Sequence, residues 1–453
     1  MSAKSPISSG QTQVSSIESR LVRDVGKASI SSSQYLVSSH ACCVMLAKPP
    51  VSSLQHHYQL SIINYQLKVL GLRQIEQRMH DLHDFLEPIN IHALNNDEGY
   101  NDGQMAKYIQ VYEGEMPDLE GIDIVLLGVG EMRGYHTALP ESNAPNIIRK
   151  HFYQLHYWHR DIRIADLGNI KTGATLADSY AAVKTVLAEL LRLNKTVVLL
   201  GGSHDITLAQ YYAYKELEQV VDAACIDAGI DLRSESPVRS ENFLMEMLTS
   251  EPNLVRHYNH IGFQSYYVHP RMLETMDKLR FDCYRLGVAK ENMEEMEPVI
   301  RHTHLLSFDI SAIKYSDAPA NHQCPNGFTG EEACMLTRYA GLSSQLGSLG
   351  IYGYRPERDV NELTARQISQ MLWYFVDGKS RNKQEAPLSD RHQFNEFHTA
   401  FAEVDTLFLQ SKKTGRWWMG LPDGKLIPCS YNDYVLASHN EIPERWLRAQ
   451  ERG

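Results

Sequence analysis

The stretch TVVLLGGSHDITLAQYYAYKELEQVVDAACIDAGIDLR, residues 196–233, decides the fold. It opens with a β-rich apolar run, 196–200, of the length a buried strand needs. Gly201 and Gly202 halt that run and allow a tight turn. Ser203, His204 and Asp205 follow, and residues 206–218 then read as a helix. A second apolar run, 223–226, leads straight into DAGID, 227–231. A third, LLSFD at 305–309, also ends in an acid. In an open parallel α/β sheet, sites form at the carboxyl ends of the strands. His204, Asp227, Asp231 and Asp309 stand at three such ends. Hard oxygen donors with one imidazole suit Mn2+ or a similar divalent ion. Asp and Ser are also common as strand-end caps and turn residues, so that reading of each residue stays open.

The order GGSHD, DAGID, SFDIS resembles the ureohydrolase superfamily of arginase, agmatinase and formimidoylglutamase. Supporting segments are IVLLGVGEMRGY (124–135), APNIIR (144–149), IADLGN (164–169) and SDAPANHQCPNGFTGEE (316–332). The flavour is closest to the formimidoylglutamase-like branch. The resemblance implies a three-layer α/β/α fold with a central, mainly parallel sheet. It also implies a dinuclear Mn2+ centre with a bridging hydroxide. Carried over position by position, one metal keeps all its ligands: His204, Asp227, Asp231 and Asp309. The other loses its private ligands, because Gly229 stands for a His and Ser311 for an Asp. Gly353, in IYGYRP (351–356), stands for a Glu that grips the substrate's cationic head. One Mn2+ at most is therefore expected, with Zn2+ or no metal as the other outcomes. Arg239 and Asn242, in the loop after the second motif, are the expected substrate contacts. No residue is assigned as the catalytic acid or base. Lys314 is a candidate to point inward and pair with Asp309 or Asp227.

Strands alternating with helices beyond residue 121 imply βαβ units. Residues 176–193 carry apolar residues at helical spacing. A net charge of −11 argues against nucleic acid and anionic membranes as partners. No apolar run approaches the roughly 20 residues of a membrane span. The seven cysteines are odd in number and show no CxxC pattern, which fits reduced cytoplasmic thiols. GVGEMRG (128–134) lacks the full dinucleotide fingerprint. His302 and His304 precede the strand that ends at Asp309, so they are expected at the far end of the sheet.

Three segments are expected. Residues 1–78 form a Ser-rich, low-complexity extension, with a family-like start at Met79. Residues 79–386 form the arginase-like domain, closed by an exposed connection at 378–386. Residues 387–453 form an extension whose runs 401–410 and 416–421 flank Gly415 as a β-hairpin. Two functions stay open. One is a metal-dependent hydrolase of linear amidines or guanidines, assembled as a trimer or hexamer as the resemblance implies. The other is a catalytically inactive ureohydrolase-fold protein with a binding or regulatory role.

Overall fold

Along the central strands, successive residues point to opposite faces. Val197 and Leu199 enter one apolar core, Val198 and Leu200 another, and Val125/Leu127 against Ile124/Leu126 repeat the pattern. Strands buried on both faces read as continuous apolar runs, which is why 196–200 carries no polar residue but Thr196. The computed structural model describes residues 82–95, 99–321 and 324–452. The expected extension 1–78 and the start at Met79 lie outside them.

The main sheet has ten strands among the described residues. They are β1 (Leu86–Glu87), β2 (Gln110–Val111), β3 (Ile124–Val129), β4 (Ile164–Ile170), β5 (Thr196–Leu200), β6 (Val221–Ile226), β7 (Val255–Phe263), β8 (Asp282–Arg285), β9 (Leu305–Asp309) and β10 (Ser348–Tyr352). Their order is β1-β4-β3-β5-β10-β9-β6-β7-β8, with β2 beside β4. All pairs are parallel except β1 with β4. Helices Ala144–Phe152, Gly330–Gly341 and Leu363–Lys383 send Ile148, Leu336 and Phe375 into one core. Leu176–Arg192 and Ile206–Glu216 send Val186 and Ala209 into the core on the opposite face. The result is a three-layer α/β/α fold, as expected.

Local chemistry fixes the helix starts. Thr175 and Asp178, and Thr329 and Glu332, form reciprocal capping boxes that satisfy otherwise orphaned backbone donors. The register then levels the strand tips. Leu200 lies opposite Ile351, Tyr352 opposite Asp309, and Phe308 opposite Ile226. Four adjacent strands, β5, β10, β9 and β6, thus end together.

Two boundaries differ from expectation. The last domain helix runs to Lys383, so residues 378–383 of the expected exposed connection are helical. Gly378 allows this. A Cβ there would lie 2.2 Å from the Arg338 carbonyl oxygen, so only glycine admits the neighbouring helix, and Arg338 pairs with Asp377 at 2.6 Å. The extension is also larger than a hairpin. It is an antiparallel sheet, β11 (Phe394–Phe401), β12 (Val404–Ser411), β13 (Trp417–Gly420) and β14 (Leu426–Cys429), followed by two helices. The expected hairpin is its β12–β13 step. The run 401–410 is broken by a turn at Ala402 and Glu403, both at positive φ (49° and 63°). Such turns ordinarily announce themselves by Asn-Gly, which is absent here.

Arg301 joins the extension to the main sheet. Its Nη2 donates to the Trp417 carbonyl at 2.9 Å, and its guanidinium lies 4.4 Å from the Trp418 ring centre. Arg416 donates to the Leu342 carbonyl at 2.7 Å and pairs with Glu385 at 2.9 Å. Trp417 and Trp418 are buried within the chain.

Candidate metal centre

Gly201 and Gly202 both adopt positive φ, 81° and 87°, which turns the chain sharply off the tip of β5. The Gly201 amide still donates to the Ile351 carbonyl at 2.9 Å, and the Ser203 amide to the Glu131 carbonyl at 2.8 Å. His204 is thereby held over the strand tips, edge-on to Phe243 at 5.0 Å between ring centres.

His204 Nδ1 lies 2.9 Å from Asp231 Oδ2, 3.6 Å from Asp227 Oδ2 and 3.8 Å from Asp309 Oδ2. His204, Asp227 and Asp231 each bring one ligand-type atom within 4.8 Å of the others. On the other side of the ring, Nε2 lies 2.8 Å from Ser307 Oγ, which bonds Thr207 Oγ1 at 2.7 Å. Cys225 Sγ is 3.6 Å from the same Nε2, and burial pushes its thiol up to about 11. A hydroxyl that accepts from Nε2–H leaves Nδ1 to serve as a ligand, the usual support for a metal-bound imidazole.

The carboxylates are held by their own donors. Asp227 Oδ1 accepts from the Ala228 amide at 2.6 Å and from the Ser311 hydroxyl. Asp309 Oδ1 accepts from the Ser311 amide at 2.7 Å, and Oδ2 from the Tyr135 hydroxyl at 3.1 Å. Burial first, then the neighbouring Asp231 and Asp309 charges, hold the Asp227 carboxyl well above its ordinary range. Burial also raises Asp231, with His204 pulling it back. Burial works against charge on His204, but Cys225 and Asp231 outweigh it and raise the imidazole well above 6.5. A divalent cation relieves the same repulsion, and one imidazole nitrogen with carboxylate oxygens is a donor set that fits Mn2+.

The three positions that depart from the family pattern border this cluster. Ser311 bonds Asp227, and a Cβ on Gly229 would have only Asp227 Oδ2, at 4.0 Å, as a neighbour. A Cβ on Gly353 would lie 2.8 and 2.9 Å from the two Asp309 oxygens. Arg239 and Asn242 are held mainly within their own loop. Arg239 pairs with Glu246 and lines a groove of about 520 Å3 with Tyr180 and Lys184, and Asn242 Nδ2 donates to the Ser236 carbonyl at 2.7 Å. The side-chain bonds of both run to Glu246, Ser236 and each other, and not to His204, Asp227, Asp231 or Asp309. Lys314 pairs with Asp317 at 3.3 Å, and no Lys or Arg among the described residues pairs with Asp227, Asp231 or Asp309. The inward Lys314 is thus not what the fold provides.

His302 and His304 lie at the opposite end of the sheet, beside Asp222 at 3.5 and 3.7 Å. His260 is buried, with Nε2 3.2 Å from the Asp227 carbonyl oxygen, and burial pushes it down to about 4. Ser307 and Cys225 were legible from period-two spacing, since each precedes a cluster acid by two residues. Tyr135 sits in a loop that gives no such signal.

A cluster of one imidazole and three acids at the tips of a parallel sheet defines a metal-type α/β site. The chain belongs to the arginase family, whose model matches residues 122–377. It is 24% identical over 246 residues to formimidoylglutamase of Staphylococcus haemolyticus, covering 51% of this chain and 78% of that protein. Against the Vibrio cholerae formimidoylglutamase it is 25% identical over 275 residues, with 54% and 79% covered. Two solved structures share the fold. The Bacillus subtilis formimidoylglutamase has a TM-score of 0.55 at 18% identity, covering 66% of this chain and 98% of that one. Trypanosoma cruzi formiminoglutamase with Mn2+ has a TM-score of 0.54 at 17% identity, covering 62% and 99%. No helix among the described residues is long and apolar enough to cross a membrane.

Proposed function

We propose that this chain is a metal-dependent hydrolase that cleaves a C–N bond of linear amidines or guanidines, with formimidoylglutamate-like substrates foremost. The observation that carries the reading is the convergence of His204, Asp227 and Asp231, with Asp309 beside them. These four residues would hold one Mn2+, or Zn2+ in its place. A bound metal supplies hydroxide near neutral pH. Ser307 orients the His204 ring through Nε2. Gly229 has no side chain to offer, and Ser311 donates to Asp227, so a second ion lacks private ligands. Arg239 and Asn242 are retained as outer substrate contacts. A cytoplasmic trimer or hexamer of domains 79–386, each with its 387–453 extension, completes the reading.

Metal analysis of full-length protein purified without chelator tests it. The expected result is about one Mn2+ or Zn2+ per chain, lost in His204→Ala, together with formamide or urea release from a panel of amidines and guanidines. Two ions per chain would mean that the second site has been misassigned. Gly353, in place of a carboxylate, favours a second reading, a non-catalytic binding or regulatory protein. No metal and no release from the panel would select it.

A further inference from the structure

Asp227 and Asp309 enter the centre from the tips of adjacent strands, β6 and β9, yet their oxygens are used differently. Asp227 gives Oδ1 to protein donors and leaves Oδ2 facing His204 at 3.6 Å. Asp309 has both oxygens engaged. Oδ1 accepts from the Ser311 amide at 2.7 Å. Oδ2, the oxygen 3.8 Å from His204 Nδ1, accepts from the Tyr135 hydroxyl at 3.1 Å. His204, Asp227 and Asp231 converge within 4.8 Å of one another, with Asp309 Oδ2 beside them, 3.8 Å from His204 Nδ1.

A donor on the far oxygen of a carboxylate supports its use as a ligand. A donor on the near oxygen competes with the cation for the same electron density. Tyr135 is a donor of the second kind. Its hydroxyl reaches Asp309 because residue 353 is glycine: a Cβ there would lie 3.0 Å from the Tyr135 hydroxyl, and φ is +83°. The loop is pinned from both sides. The Tyr135 amide donates to the Met132 carbonyl and the Ser240 amide to the Gly134 carbonyl, each at 3.0 Å.

We propose that Tyr135 is a positioning residue that latches Asp309, competing with the metal for Oδ2 and making Asp309 the weakest of the four ligands, with Gly353 making room for the latch. This rests on the metal reading above. The latch makes the seat looser than the ligand count implies, and it sets the metal affinity without touching the ion.

The test is titration of the full chain, stripped with chelator, with Mn2+ alone, following free Mn2+ by electron paramagnetic resonance. Tyr135→Phe is expected to bind on the order of tenfold tighter than the unaltered chain. Ser311→Ala removes a supporting donor from Asp227 and is expected to bind on the order of tenfold weaker. Unchanged or weaker binding by Tyr135→Phe overturns the latch, while binding that still depends on His204 keeps the metal reading. If neither the unaltered chain nor Tyr135→Phe takes up Mn2+, the metal reading falls and the latch with it. Should Tyr135→Phe fail to fold, as judged by thermal unfolding, Tyr135→Leu removes the same hydroxyl and carries the same expectation. A merely structural tyrosine would not strengthen metal binding when altered.

Discussion

Both ends of the main sheet gather aspartate with imidazole, and they settle the charge in opposite ways. At the amino end, Asp222 in β6 accepts from Arg256 Nε at 2.8 Å, with His302 at 3.5 Å and His304 at 3.7 Å. Burial opposes ionisation of Asp222, but the Arg256 hydrogen bond outweighs it and lowers the carboxyl. One acid meets one guanidinium and two imidazoles. At the carboxyl end, three acids meet one imidazole, and among the described residues no Lys or Arg pairs with them. A balanced cluster closes a sheet end and needs no further ion. An acid-rich one, more deeply buried, is stable only when another cation or extra protons share it.

That contrast can be broken at either end. The largest effect is expected for Asp231→Ala, which removes a converging ligand. Mn2+ affinity by equilibrium dialysis should drop by more than the roughly 10- to 100-fold typical of a supporting residue. A drop of only a few-fold would put the cation elsewhere. Asp222→Ala should leave Mn2+ affinity untouched. Its unfolding free energy in urea should fall by about 1–2 kcal/mol. The loss is moderate because the Arg256 side chain is 52% exposed and regains water. A change in metal affinity would show that the two ends are coupled. Ser307→Ala sharpens the carboxyl end alone. Mn2+ affinity should weaken about tenfold, with little change in melting temperature.

The smallest effect is in pH. Burial lowers the imidazoles of His302 and His304, against the pull of Asp222 and alongside Arg256. Their folded pKa values lie below the unfolded value of about 6.5, so the unfolded chain binds protons first. Stability is present above that value and is lost as pH falls below it. The lowered Asp222 adds a loss of the same sign, further down, below about pH 4. Between about pH 7.5 and 5.5 these two imidazoles therefore lower the melting temperature as pH falls, while the raised His204 and Asp227 act in the opposite sense and the lowered His260 in the same one. The melting temperature of His302→Gln/His304→Gln should accordingly rise relative to that of the unaltered chain as pH falls, and a constant difference would count against the amino-end cluster.

Much of this molecule was legible in its sequence because strands buried on both faces leave uninterrupted apolar runs. β5 and β9 fall where their runs predict. His204 and the three acids follow from the rule that sites collect at strand ends. What stayed hidden has physical causes. Ala402 and Glu403 turn the chain without a turn signature. Gly378, which reads as a breaker, instead fits a close helix contact. Tyr135 reaches Asp309 across the fold from a loop with no periodicity. Arg239 and Asn242 were singled out from their loop, but their bonds are set by Glu246 and Ser236, which spacing does not reveal.

The Arg301 anchor bears on how this protein can be handled. Arg301 ends the helix that leads into β9, and its guanidinium rests on Trp418 and the Trp417 carbonyl. Trimming the chain at residue 386 would strip that cover from a charge sealed inside the molecule. A shortened gene product is therefore expected to be insoluble, and the tail is a fitted lid on the root of the strand that carries Asp309.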